Sequence, residues 1–146
     1  MRLGGSAGWL DSEANELQDI CGLGDANGCE GSELFWAPDF SGAAVLGGNF
    51  PTANGAIVTS FEAAWEGERG GGWENLNSTK IDSYAEYALR VGYESNDNWS
   101  VMAYAENITD EFTWDGLNNN GGILPSHFFG PRRPRTLGVK LGMTFD

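Results

Sequence analysis

The residues best equipped for chemistry are few. Cys21 and Cys29 bracket the short run from Gly22 to Gly28, and the only histidine, His127, lies far downstream. Two thiols and one imidazole fall one ligand short of the four that a structural zinc site uses. No nucleophile, base and orienting acid can be assembled around His127 either. We therefore expect no catalytic residues, no metal and no cofactor. The cysteines have another use: if their segment faces an oxidising compartment, a Cys21–Cys29 disulfide would close a short loop and stiffen it.

Asp11, Glu13, Glu16, Asp19, Asp25, Glu30 and Glu33 crowd the same segment. A calcium loop of the EF-hand type needs an oxygen ligand where Cys29 stands, so a solvated acidic loop is the simpler reading. Gly70-Gly71-Gly72 lacks the Gly-Lys-Ser/Thr ending of a phosphate loop and reads as a flexible tip. The formal net charge is −13, with only eight Lys and Arg, which argues against nucleic acid as a partner. What remains is a set of rings in polar surroundings: Trp36, Trp73, Trp114, Phe128 and Phe129. Such rings can stack on sugars or planar chelates, as in cavities that bury a small-molecule ligand against aromatic side chains. Packing of loop against loop is the competing use.

The elements that would position these rings follow from a two-residue alternation, which in a strand sends successive side chains to opposite faces. In 135–145, Leu137, Val139, Leu141, Met143 and Phe145 alternate with Thr136, Gly138, Lys140, Gly142 and Thr144. Segment 83–95 sets Ala85, Tyr87, Leu89, Val91 and Tyr93 against Glu86, Arg90 and Glu94. Segment 98–108 sets Trp99, Val101, Ala103 and Ala105 against Ser100, Tyr104 and Glu106. Segment 56–66 sets Ile57, Thr59, Phe61, Ala63 and Trp65 against Ser60, Glu62 and Glu66. Weaker alternation marks 39–50 and 2–12. The expected fold is thus all-β, an antiparallel meander of about six long strands.

Connection lengths alternate too. The turns at 51–55 and 95–98 are short, whereas 13–37, 67–82 and 109–134 are long and polar, which puts every long loop at one end of the sheet. Transmembrane barrels have that asymmetry. Strands of 10 to 12 residues suffice to cross a bilayer when tilted, and no apolar run approaches the roughly 18 to 20 residues of a membrane-spanning helix. Phe40, Phe50, Trp65, Tyr93, Trp99 and Phe145 sit near strand ends, where a bilayer places its aromatic girdles. On this reading Glu62, Glu66, Glu86, Arg90, Glu94 and Lys140 face a lumen and the opposite side faces outer-membrane lipid. A passive porin-like barrel and a secreted carbohydrate-binding β-sandwich remain as alternatives.

Two stretches carry a family resemblance. Asn98-Trp99-Ser100-Val101, followed by Ala105-Glu106-Asn107-Ile108-Thr109-Asp110-Glu111, resembles the penultimate strand and Asn-Leu-Thr-Asp type turn of TonB-dependent outer-membrane receptors. Gly130-Pro131-Arg132-Arg133-Pro134-Arg135-Thr136-Leu137-Gly138-Val139 resembles that family's last strand, although Asp146 here follows the terminal aromatic Phe145. Ala37-Pro38-Asp39-Phe40-Ser41-Gly42 and Ile81-Asp82-Ser83-Tyr84 are similar to the family upstream. The resemblance implies that residues 1–146 are a C-terminal fragment of the β-barrel, an arc without the plug domain. It implies residence in the cell outer membrane and partnership with outer-membrane lipid, the remainder of the barrel and the plug. Contact with TonB would run through the absent N-terminal region. The cargo would be a scarce nutrient such as a siderophore, vitamin or saccharide.

Overall fold

The computed structural model describes residues 1–13, 37–70, 80–118 and 128–145. Among the described residues ten strands follow one another: β1 (Arg2–Trp9), β2 (Phe40–Thr52), β3 (Gly55–Glu66), β4 (Arg69–Gly70), β5 (Lys80–Ile81), β6 (Tyr84–Ser95), β7 (Trp99–Glu106), β8 (Trp114–Asn118), β9 (Phe128–Pro131) and β10 (Thr136–Met143). Six of them form one sheet in the order β1-β2-β3-β6-β7-β10, and every pairing is antiparallel. No helix occurs among the described residues. The expected meander is the observed one, with ends moved by a few residues.

Those shifts have local causes. The turn expected at 51–55 narrows to Ala53 and Asn54, because Pro51 and Thr52 continue the ladder opposite Ala56 and Gly55. Pro51 stands opposite Ala56 in the ladder with β3. The second turn closes through Asn98, whose φ of 61° is one that asparagine accepts more readily than most residues. The two turns touch, Asn96 N donating to Asn54 O at 3.0 Å.

Directly opposed residues share a face, so the register fixes two surfaces. One row runs Leu3, Leu46, Phe61, Leu89, Ala105 and Leu137 across all six strands. The row behind it runs Gly4, Val45, Glu62, Ala88, Glu106 and Thr136. The apolar surface stands uncovered: Leu137 is 71% exposed and Leu141 77%. The buried apolar residues among those described are only Ile81, Tyr84 and Ala88. A sandwich would need a second layer over Leu137, Val139 and Leu141, and the described residues supply none.

Two features were not expected. Inside the stretch 67–82, β4 and β5 pair over Arg69↔Ile81 and Gly70↔Lys80. Inside 109–134, β8 and β9 pair from Trp114↔Pro131 to Asn118↔Phe128, with an irregularity between Trp114 and Gly116. Both hairpins rise from the end of the sheet opposite the short turns.

Candidate functional site

On the polar surface, charge is concentrated on β3, β6 and β7. Arg90 lies at the middle of β6. It pairs with Glu62 of β3 and, at 3.4 Å, with Glu106 of β7. Ser60 Oγ also donates to Glu62, at 3.1 Å. Arg133 reaches Glu106 from beyond β9, at 3.3 Å. The alternation places these groups together because residues two apart point the same way, and the ladder then brings Glu62 and Glu106 to either side of β6. Six acidic or basic residues expected on one face, Glu62, Glu66, Glu86, Arg90, Glu94 and Lys140, do share it by register.

A second cluster occupies the long-loop end. Arg132 lies 4.4 Å over the Tyr84 ring and faces Glu86 at 3.4 Å, Asp115 at 3.6 Å and Glu66 at 3.9 Å. Arg69 pairs with Glu66 and donates to the carbonyls of Trp114 and Asp115 at 3.3 and 3.1 Å. Its guanidinium carbon is 5.9 Å from the same Tyr84 ring. Burial of Arg69 and Tyr84, at 8% and 5% exposed, takes these contacts out of bulk water, where they hold better than surface pairs do. Arg69 carries no signal in the sequence, and Arg132 is marked there only as part of the stretch 130–139. A basic residue inside a polar loop has no periodic signal, and only the fold brings it to Tyr84.

The turn after β7 is equally specific. Asn107, 5% exposed, donates from Nδ2 to Glu111 O and Arg133 O at 2.9 and 3.2 Å and accepts from Glu111 N at 3.0 Å. Asp110 accepts from the Arg135 backbone at 3.1 Å and from its guanidinium at 3.2 Å. Both have positive φ, 47° and 57°, in the region where Asn and Asp are enriched. The motif read as a family signature is therefore the clamp that holds both ends of the 109–134 loop together.

The ring set expected to meet a ligand is only partly placed. Trp114 opens β8, half-buried, with Phe112 edge-on at 4.9 Å. Phe128 and Phe129 lie on β9, paired with Asn118 and Leu117 in the backbone ladder. Trp36, Trp73, His127 and the cysteines Cys21 and Cys29 lie outside the described residues, so neither a ring cluster nor the disulfide is placed. Among the described residues no group of His, Cys, Asp and Glu is arranged to hold a metal ion.

Aromatic pairs mark both ends of the apolar surface. Phe40 and Trp65 stand 4.6 Å apart at the long-loop end, and Tyr93 and Trp99 stand 5.5 Å apart at the short-turn end. Leu89, Val91, Leu137 and Val139 occupy the band between.

No family model matches the chain, and no curated protein matches it in sequence. Among solved structures, it is similar to the ferric yersiniabactin uptake receptor FyuA from Yersinia pestis, with a TM-score of 0.71 and 17% identity. The match covers 85% of this chain and 19% of that one, so the chain spans about a fifth of the receptor's length. At that identity the likeness is one of fold: this six-stranded meander is built like a portion of an uptake receptor.

Proposed function

We propose that the chain is an arc of the β-barrel of a TonB-dependent receptor in the outer membrane, which imports a scarce nutrient. The observation that carries this reading is the single-layer sheet with two unlike faces, one continuous, apolar and uncovered, the other laced with ion pairs. A charged residue at a bilayer midplane costs about 2 to 4 kcal/mol, which favours lipid on the first face and an aqueous lumen on the second. The twelve residues of β3 are about 36 Å long at a rise of ~3.3 Å, and tilted by ~40° they stand roughly 28 Å tall. A hydrocarbon core is about 30 Å thick. The aromatic pairs then sit at its two interfaces, as amphipathic rings do.

In this orientation the hairpins β4–β5 and β8–β9 stand outside the cell, and the short turns face the periplasm. Trp114, with Trp36, Trp73, Phe128 and Phe129, would contribute to a loop site for a small-molecule ligand. Siderophores, vitamins and saccharides all present surfaces that aromatic rings can take. The remaining strands close the barrel, since an open edge in hydrocarbon leaves backbone groups unpaired. The plug and TonB supply the energised step. No catalysis is assigned.

Uptake by cells carrying the whole gene tests this. Import that collapses when the inner-membrane proton gradient is dissipated supports the receptor, and gradient-independent import refutes it in favour of a passive pore. A detergent-free monomer of this chain that melts cooperatively would refute the membrane wall itself.

A further inference from the structure

Among the described residues β4–β5 has two opposed pairs and β8–β9 four. An isolated two-stranded hairpin is marginally stable at best in water. Each must draw its order from contacts outside its own ladder, and among the described residues Arg69 of β4 reaches the β8 backbone while Arg132 anchors the second hairpin to the sheet.

We propose that Arg69 and Arg132 clasp the two hairpins into one cooperative unit seated on Tyr84, so that order in either loop depends on the other. Arg69 belongs to β4, yet its guanidinium binds the Trp114 and Asp115 carbonyls of β8. Arg132 follows β9, yet it pairs with Glu66 and Glu86 on β3 and β6 and lies over Tyr84, where β6 begins. Arg132 N also donates to Thr113 O at 2.9 Å, which fixes the residue to the base of β8. Arg69 is 8% exposed, so losing it strands the groups it holds, and Arg132 ties the base of the second hairpin to the same Glu66 that pairs with Arg69. Side-chain networks of this kind transmit order cooperatively. On the receptor reading, which this inference deepens, a ligand gripped by one loop would tighten the other with no contact of its own there. Arg69 and Arg132 are then positioning residues.

Amide hydrogen exchange on the full chain refolded in detergent micelles tests the coupling. In Arg69→Gln we expect exchange at 113–118, on the opposite hairpin, to rise about tenfold, while the β7–β10 ladder keeps its wild-type rates. A change confined to 66–70 and 80–84 overturns the proposal. Should Arg69→Gln loosen the whole sheet, Arg132→Gln decides: faster exchange at 80–81 supports the clasp, and wild-type rates there overturn it. The readout does not depend on a bilayer. Loss of coupling leaves the receptor reading standing, and coupling in a soluble monomer would sink that reading alone.

Discussion

Asn107 and Glu111 exchange two hydrogen bonds, Asn107 Nδ2 donating to Glu111 O at 2.9 Å and Glu111 N donating to Asn107 Oδ1 at 3.0 Å. A third, to Arg133 O at 3.2 Å, brings the far end of the 109–134 loop to the same side chain. Only an amide can serve here: an aspartate would set its carboxylate against two carbonyl oxygens, and a shorter side chain would reach one end alone. Asn107→Ala should therefore destabilise the fold by about 1 to 3 kcal/mol, since it removes three hydrogen bonds of a buried side chain and a residue suited to positive φ. Denaturant titration of the refolded chain measures it. A loss below ~0.5 kcal/mol would show that water replaces the side chain.

Arg90 separates two carboxylates that would otherwise face each other across β6. Arg90→Met should cost about 1 kcal/mol by leaving the half-exposed Glu62 and Glu106 without their shared cation. Adding Glu62→Gln should recover part of that loss, because the repulsion goes with the charge. A double-mutant cycle by equilibrium unfolding reads the coupling directly. Purely additive effects would mean that the three groups act independently.

Gly55 sits where a side chain has no room. A Cβ there would lie 2.1 Å from Glu94 O and 2.8 Å from the Tyr93 hydroxyl oxygen. The obstacle is backbone and cannot swing away, so Gly55→Ala should separate β3 from β6 at the short-turn end. Gly138 contrasts with it: its Cβ would strike the Tyr104 ring at 2.4 Å, and a ring can move. Gly138→Ala should be rescued by Tyr104→Ala, whereas no single partner change rescues Gly55→Ala. Folding yield in micelles, followed by circular dichroism, distinguishes the two.

Val139 and Lys140 are neighbours in sequence on opposite faces. If lipid covers the first face, Val139→Arg should cost about 2 to 4 kcal/mol in a bilayer, whereas Lys140→Arg should cost little. Unfolding from lipid vesicles is the measurement. Equal costs at the two positions would contradict the assignment of faces.

The strands were legible in the sequence because each has one polar and one apolar side, which writes a period of two into positions such as Leu137, Val139 and Leu141. Their order was legible because short turns force neighbours in the chain to be neighbours in the sheet. The β4–β5 hairpin was not, since its described residues, Arg69-Gly70 and Lys80-Ile81, carry no period. The β8–β9 hairpin is built on Trp114-Asp115-Gly116-Leu117-Asn118, which has turn-like residues in mid-strand, and it stands by contacts made elsewhere. Asn107 and Asp110 were visible as a motif, but their task, tying 111 to 133 and 110 to 135, appears only in three dimensions. Arg69 and Arg132 illustrate the same limit: Tyr84 is distant from both in sequence and becomes their common seat through the pairing of β3 with β6.

An even number of strands in the sheet has a practical corollary. Arg2 lies opposite Gly47, and Met143 opposite Trp99, so both extremities of the sheet's polypeptide run toward the end that carries the two tight turns. Whatever is fused ahead of Arg2 or behind Met143, whether reporter, affinity handle or neighbouring barrel segment, attaches on the side remote from Trp114 and Arg132. Ligand binding at the proposed loop site could therefore be assayed with both tails tethered to a surface.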